Sequence, residues 1–165
     1  MMRVLFLDID GVLNSEGWNA EHQSEIVQGI LIDRAAVRLL AQLVHETDAQ
    51  LILHSGWRMW FDAQLRPLRR EAEILVRLFS ENGISIADRT PDLTTEEIRQ
   101  SRRFSLVKGE EIMAWLAGRS DVEAWVVLDD LELLGEQLRL HQVQTDPALG
   151  LALQDIEKAK QLLMR

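Results

Sequence analysis

Short apolar runs alternate with amphipathic stretches along this chain. Residues 3–9 form a run rich in strand-forming side chains that stops just before Gly11. Four further runs, of which the second and fourth are weaker, lie at residues 50–54, 84–87, 124–128 and 140–144. Continuous apolar runs without polar alternation are typical of strands buried on both faces of a sheet. The pattern therefore predicts about five strands.

Helical periodicity fills the spaces between these runs. Apolar residues recur at three- and four-residue spacing from Asp33, which suits a helix N-cap, to about Glu46. Further helices are predicted over residues 58–82 with an interruption near Pro67 and a C-cap at Gly83, and over residues 109–117 and 151–164. Residues 15–32 and 88–105 are polar and irregular, and we expect the first of these segments to form a loop or flap.

The alternation of strands and helices predicts an α/β fold. A mostly parallel sheet of about five strands, covered by helices on both faces, would form a three-layer α/β/α sandwich. The 165 residues show no repeat and no linker, so we expect a single domain over residues 1–165. A chain of this size buries about 70% of its surface on folding, which is enough for a stable core.

Composition excludes several classes of site and location. The chain has no cysteine, so disulfides, thiolate metal sites and a cysteine nucleophile are excluded. No apolar stretch approaches the roughly 20 residues that a membrane span needs. The N-terminal residues do not have the pattern of a signal peptide, and we therefore expect a cytoplasmic protein.

The net charge of −9 disfavours a large footprint on nucleic acid or on an anionic membrane. Basic residues are concentrated in residues 58–119, which hold 11 of the 18 lysines and arginines. This concentration allows one basic binding face on an acidic protein. It equally fits helix surfaces with ion pairs at i,i+4 spacing.

Polar residues follow three of the predicted strands at the point where each strand ends. They are Asp8 and Asp10 after the first strand, His54 and Ser55 after the second, and Asp129 and Asp130 after the fourth. In an open parallel sheet, ligands bind beyond the carboxyl ends of the strands. We therefore expect these side chains to meet at one edge of the sheet.

Carboxylates in this arrangement suit a hard divalent cation. Asp8 and Asp10, separated by one residue, can hold Mg²⁺ through oxygen ligands, and Asp129 and Asp130 can complete the site. Paired acids can also divide the work of catalysis, one attacking and the other exchanging protons. An isolated pair of this kind is usually a turn or a surface feature. Four carboxylates at one sheet edge, however, would repel one another strongly without a cation.

Two further features suit an anion. Ser55 is followed by Gly56, and its hydroxyl and the nearby backbone N–H groups can bind phosphate oxygens; simple turn chemistry is the alternative. Lys108 precedes Gly109 and the predicted start of a helix, where an ammonium group and the helix dipole both favour negative charge. A solvated lysine is the alternative there. Arg58 is a further candidate for phosphate contact, whereas His54 is more typical of a packed residue.

These motifs, in this order, resemble the haloacid dehalogenase (HAD) superfamily. The segments that carry the resemblance are Phe-Leu-Asp-Ile-Asp-Gly-Val-Leu-Asn at residues 6–14, Leu-His-Ser-Gly-Trp-Arg at 53–58, Lys-Gly at 108–109 and Val-Leu-Asp-Asp at 127–130. Within the superfamily, the chain is most similar to the small HAD domains of Swiss Army Knife RNA repair proteins. The resemblance implies a Rossmann-like sheet with a minimal cap or none.

The resemblance also implies a mechanism. Asp8 would be the nucleophile and would form an aspartyl-phosphate, while Asp10 would act as general acid and base. Ser55, Gly56, Lys108 and Arg58 would contact the phosphate. Mg²⁺ would be held by Asp8, by the main-chain carbonyl of Asp10, and by Asp129 or Asp130. Because dehalogenases of this superfamily do not have the second aspartate, Asp10 favours hydrolysis of phosphate esters over dehalogenation.

The substrate and the class of function stay open at this point. An uncapped site admits a small phosphorylated molecule, a nucleic-acid end or a phosphoprotein, and the closer resemblance favours an RNA end. No membrane and no obligate partner is inferred. The alternative function is a catalytically silent HAD-like module that binds a phosphorylated ligand or partner. A second aspartate placed for proton transfer argues against that alternative, because a binding module does not need one.

Overall fold

The computed structural model describes residues 1–165 and places all five predicted strands side by side in one sheet. The strands are β1 (Met2–Leu7), β2 (Gln50–Leu53), β3 (Ile86–Arg89), β4 (Val122–Asp129) and β5 (Gln142–Gln144). Their order across the sheet is β3-β2-β1-β4-β5, and every neighbouring pair is parallel. The predicted α/β fold with a parallel sheet is therefore confirmed, and β1 lies at its centre.

Helices lie between the strands, and one more follows the last strand. They are α1 (Glu16–Glu21), α2 (Gln23–Val27), α3 (Arg34–Thr47), α4 (Arg70–Glu81), α5 (Glu96–Ser101), α6 (Ser105–Leu116), α7 (Glu136–His141) and α8 (Leu153–Leu163), with a 3₁₀ turn at Gly56–Trp60. The predicted N-cap Asp33 is confirmed, since its carboxylate accepts the N–H of Ala35 at 2.9 Å. None of these helices is both long enough and apolar enough to span a membrane.

The central strand divides the hydrophobic core into two layers. Leu5 and Leu7 point into a large cluster with α3, α4 and α8, whereas Val4 and Phe6 point into a smaller cluster with α6 and α7. Side chains alternate between the two faces of a strand, so a run that is apolar at every position buries both faces. The three-layer sandwich predicted from the continuous apolar runs is therefore confirmed.

Several predicted boundaries were wrong. Residues 15–32 are not an irregular loop, because they contain α1 and α2, helices of six and five residues. The interruption predicted near Pro67 is confirmed, but it is longer than predicted: only a 3₁₀ turn precedes it, residues 61–69 form a loop with a bridge between Phe61 and Pro67, and α4 begins at Arg70. The third strand lies two residues later than predicted, and the fifth begins at Gln142 because α7 occupies the residues before it.

The segment before β4 also differs from its prediction. The sequence pattern predicts irregular structure for residues 88–105, but they contain the end of β3 and the short helix α5, which is capped by the hydroxyl of Thr95. Helix α6 begins at Ser105 instead of residue 109. Lys108 therefore lies within the first turn of α6 and not ahead of the helix.

Candidate active site

The carboxyl ends of β1, β2 and β4 bring the predicted polar residues to one edge of the sheet. Asp8 directly follows β1, His54 and Ser55 follow β2, and Asp129 is the last residue of β4. A cavity of about 650 Å³ opens at this edge. The candidate residues that line it are Asp8, Asp10, His54, Ser55, Gly56, Arg58, Lys108 and Asp130. The predicted convergence is thus observed, with Asp129 buried beneath the cavity.

Three carboxylates form a tight cluster around one ammonium group. Asp8, Asp129 and Asp130 each offer an oxygen atom, and these atoms lie within 4.8 Å of one another. Lys108 Nζ lies 2.6 Å from Asp129 Oδ2 and 3.5 Å from Asp8 Oδ2. Asp129 Oδ1 accepts the backbone N–H of Leu131 at 2.9 Å. The cluster therefore holds three acidic groups against a single cation.

The electrostatics of the cluster reflect this excess of negative charge. Burial, and then the charge of Asp129, raise the pKa of Asp8 well above its ordinary value, although Lys108 acts in the opposite direction. Burial and the charge of Asp129 also raise the pKa of Asp130. Burial disfavours the ammonium of Lys108, but the charges of Asp8 and Asp129 outweigh it and raise its pKa.

These residues fit a divalent cation. All the donors in the cluster are oxygens, which is the ligand type that Mg²⁺ prefers. A second positive group would offset the carboxylate charge that Lys108 leaves uncompensated. Asp8, Asp129 and Asp130 are accordingly the side chains that could hold such an ion.

Asp10 lies outside the carboxylate cluster but faces the same cavity. Its Oδ1 accepts Asn14 Nδ2–H at 3.0 Å, and its Oδ2 accepts the indole N–H of Trp57 at 3.3 Å. The side chain of Asp10 is thereby separated from the three acids that share Lys108. Asp8 and Asp10 therefore have different surroundings, which suits different chemical roles.

Ser55 begins the 3₁₀ turn that follows β2. Its Oγ accepts the backbone N–H of Trp57 at 3.2 Å, so the turn chemistry considered for this serine is present. The hydroxyl hydrogen is still free to be donated to an acceptor in the cavity. Gly56 is exposed, and its N–H belongs to the first residue of the turn, where backbone N–H groups have no acceptor within the helix.

Arg58 forms part of the cavity wall. Its Nη1 donates to Thr90 Oγ1 at 2.7 Å, and its Nη2 donates to Glu111 Oε2 at 2.5 Å. Glu111 also accepts the backbone N–H of Leu93 at 2.9 Å, which ties the segment after β3 to α6. The guanidinium predicted to contact phosphate is therefore hydrogen-bonded to protein groups through both of its terminal nitrogens.

His54 borders the cavity but is almost completely buried. Only 1% of its surface is exposed, and Nδ1 lies 2.8 Å from Thr90 Oγ1. Burial, followed by the charges of Lys108 and Arg58, lowers the pKa of His54 well below its ordinary value. The ring is therefore neutral at physiological pH, in agreement with its interpretation as a packed residue.

Sequence reasoning missed Asn14, Thr90 and Glu111. Asn14 lies within the motif at residues 6–14, but nothing in the sequence indicates that its amide bonds to Asp10 and to the backbone of Gly11 and Leu31. Glu111 lies three residues after Lys108 on α6 and is only 1% exposed. Its place on the apolar face of a predicted helix is the signal that could have identified it. A glutamate there is buried, and a buried carboxylate requires a partner.

Gly11 allows the turn after Asp10 to pass close to the carboxylate cluster. Its φ is +82°, and a Cβ at this position would collide with the carboxylate of Asp130. We expect Gly11→Ala to lower the affinity for Mg²⁺ by about 10- to 100-fold, the range seen when groups around metal ligands are changed. Isothermal titration calorimetry measures this affinity.

Gly118→Ala is the matched control for that substitution. Gly118 has a φ of +76°, and nothing lies within 4 Å of the position its Cβ would take. Both variants carry the same backbone penalty of about 1–3 kcal/mol, but only Gly11→Ala disturbs Asp130. Equal Mg²⁺ affinities in the two variants would show that Gly11 does not shape the site.

Comparison with known proteins gives one family. A family model described as the HAD domain in Swiss Army Knife RNA repair proteins matches residues 4–156. The match includes both aspartates after β1, the serine after β2, Lys108 and both aspartates at the end of β4. The comparisons with curated proteins and with solved structures gave no match.

Proposed function

The chain belongs to the family of HAD domains found in Swiss Army Knife RNA repair proteins, a family of hydrolase type, and from this premise we propose that it is a Mg²⁺-dependent phosphomonoester hydrolase. The observation that carries the proposal is the group formed by Asp8, Asp129, Asp130 and Lys108, with Asp10 facing the same cavity. A binding module would need the positive charges of such a site but not a separate carboxylate beside it.

Asp8 is the nucleophile in the proposed reaction. A carboxylate oxygen of Asp8 attacks phosphorus, the bond from phosphorus to the ester oxygen breaks, and an aspartyl-phosphate forms. Asp10 enters this step as the carboxylic acid, gives its proton to the departing ester oxygen and is left as a carboxylate. In the second step Asp10 takes a proton from water, whose oxygen attacks phosphorus and releases phosphate and the carboxylate of Asp8. The division of work follows from the different surroundings of the two aspartates.

Three groups would hold the transferring phosphoryl group. The Ser55 hydroxyl and the Gly56 N–H are available as donors at the cavity edge, and the Lys108 ammonium neutralises charge beside Asp8. Mg²⁺, held by Asp8, the Asp10 carbonyl and Asp129 or Asp130, would neutralise phosphate charge and orient the ester. Fixed donors of this kind stabilise the transition state without having to reorganise during the reaction.

The cavity has room for more than a phosphoryl group. Its volume of about 650 Å³ lies within the range typical of small-molecule sites, and its lining includes the partly exposed side chains Met59, Phe104 and Leu131. We propose a phosphorylated substrate with an organic leaving group. The RNA repair context of the family makes a nucleic-acid end the first candidate, ahead of a small phosphorylated metabolite or a phosphoprotein.

Phosphate release from a matched panel tests the proposal. The panel contains p-nitrophenyl phosphate, nucleotides, phosphopeptides and RNA ends, each with Mg²⁺ or with EDTA. We expect EDTA to lower release by roughly two to three orders of magnitude, because the carboxylate cluster then lacks its second cation. Excess Mg²⁺ should restore the activity.

Each outcome of this panel has a clear meaning. The substrate with the highest kcat/KM distinguishes RNA, protein and small molecule. Release that is unaffected by EDTA would contradict the role of the metal. If folded protein that binds Mg²⁺ released no phosphate from any member of the panel, the catalytically silent binding module would replace the hydrolase.

A further inference from the structure

We propose that Trp57 and Asn14 are positioning residues that fix the carboxylate of Asp10 for proton transfer, an inference that rests on the proposed function. The indole N–H of Trp57 donates to Asp10 Oδ2 at 3.3 Å, and the Asn14 amide donates to Asp10 Oδ1 at 3.0 Å. Each carboxylate oxygen thus has its own donor. The pair fixes the direction in which the carboxylate faces the cavity.

Asp10 needs such support because burial does not hold its side chain in place. Its side chain is exposed, and it sits on a turn just before Gly11, which has a φ of +82°. An exposed aspartate samples several rotamers. A general acid acts only when it lies within hydrogen-bond reach of the leaving oxygen. The hydrogen bonds from Asn14 and Trp57, one to each oxygen, hold the Asp10 carboxylate in one orientation at the cavity.

Trp57 links Asp10 to the phosphate-binding turn. The residue is only 3% exposed, so packing holds its indole N–H in place. Its backbone N–H donates to Ser55 Oγ at 3.2 Å, within the same 3₁₀ turn. One residue therefore contacts both the serine that would hold the phosphoryl group and the aspartate that would protonate the leaving group. Trp57 thereby fixes the distance between the group that holds the phosphoryl group and the group that protonates the leaving oxygen.

Asn14 provides the second anchor. Its Oδ1 accepts the N–H of Gly11, and its Nδ2 donates to Asp10 Oδ1 and to the carbonyl of Leu31, all at 3.0 Å. The amide uses both hydrogens and its oxygen, so its orientation is fully determined by its partners. The residue is 7% exposed, and it ties the turn after β1 to the segment that leads into α3.

The dependence of rate on the leaving group tests this role. Trp57→Phe keeps an aromatic ring beside Trp60 but removes the donor to Asp10. Protonation matters most for esters with a strongly basic leaving oxygen, such as alkyl phosphates, and least for p-nitrophenyl phosphate. We expect kcat/KM for alkyl phosphates to fall about 10- to 100-fold, and kcat/KM for p-nitrophenyl phosphate to fall less than about threefold.

Trp60→Phe is the matched control. Trp60 lies in the same turn, with its ring centroid 4.6 Å from that of Trp57, and makes no hydrogen bond to Asp10. We expect it to leave kcat/KM for both esters unchanged. Asn14→Asp replaces the donating amide by a carboxylate that repels the carboxylate of Asp10. It should reproduce the selective loss of kcat/KM for alkyl phosphates expected for Trp57→Phe.

The experiment separates this inference from the proposed function. An equal loss for both esters in Trp57→Phe, or no loss for either, would overturn the positioning role while the wild-type activity upheld the hydrolase. A folded wild-type protein that released no phosphate from these esters or from any other member of the panel would overturn both. The ¹H–¹⁵N signal of the Trp57 indole checks the contact without turnover, since Asp10→Ala should shift it and leave the Trp60 signal in place.

Discussion

Asp8→Asn is expected to lower phosphate release by at least about 10⁴-fold, the scale of loss seen when a nucleophile is removed. The amide is nearly isosteric with the carboxylate but cannot carry out its attack on phosphorus. Binding of substrate should persist, because Ser55 and Lys108 are unchanged. The measurement is the single-turnover and steady-state release of phosphate, with the wild-type protein prepared in parallel.

The same variant should be more stable than the wild type in EDTA. Burial and Asp129 raise the pKa of Asp8 in the folded state, so its ionised form is unfavourable there at neutral pH. Replacing it by a neutral amide should add about 0.5–2 kcal/mol to the free energy of unfolding, as for other substitutions that relax an active site. A gain in stability with a loss of activity excludes misfolding as the cause of the loss.

The gain in the free energy of unfolding of Asp8→Asn depends on pH in a definite direction. A group whose pKa is higher in the folded state stabilises the fold below its unfolded pKa, and this contribution is lost as the pH rises through the folded pKa. The advantage of Asp8→Asn should therefore be largest at neutral pH and shrink as the pH falls towards 3.8, the ordinary value for aspartate. Turnover retained in a preparation free of wild-type protein would contradict the assignment of Asp8.

The meeting of the polar site residues at one sheet edge could be predicted from the sequence, because it follows from local patterns and one topological rule. Continuous apolar runs identified strands buried on both faces, and the carboxyl ends of parallel strands lie at one edge. Asp8, Ser55 and Asp129 follow from these two facts. The helix beginning after Asp33 could be predicted for the same reason, since its periodicity and its cap are encoded within one segment.

The remaining features depend on short elements and distant contacts. Helices α1 and α2 are too short to show an apolar period. The start of α6 carries no capping signal, because Phe104 at its N-cap makes no side-chain cap hydrogen bond. Arg58 and Glu111 are 53 residues apart in the chain, and only the packing of α6 against the sheet edge brings them together.

Removal of the Lys108 ammonium is expected to damage both stability and activity. Lys108→Met keeps the apolar length of the side chain, so the effects arise from charge. We expect phosphate release to fall by about 10²–10³-fold, because a fixed group that stabilises phosphoryl charge is lost. In EDTA the free energy of unfolding should fall by about 3–5 kcal/mol, the cost of leaving a buried ion-pair partner alone. The Lys108–Asp129 pair has that character, with side chains only 13% and 0% exposed.

Three comparisons test the cause of these effects. Lys160→Met removes a surface pair with Glu46 at 3.0 Å, and we expect it to change the free energy of unfolding far less than Lys108→Met does. Asp8→Asn in the Lys108→Met background should restore part of the lost stability, because it removes one of the carboxylates left without a cation. Mg²⁺ should also restore stability to Lys108→Met more than to wild type. Urea denaturation of the four proteins in EDTA and in Mg²⁺ measures these differences, and unchanged stability of Lys108→Met in EDTA would show that Lys108 does not hold the cluster together.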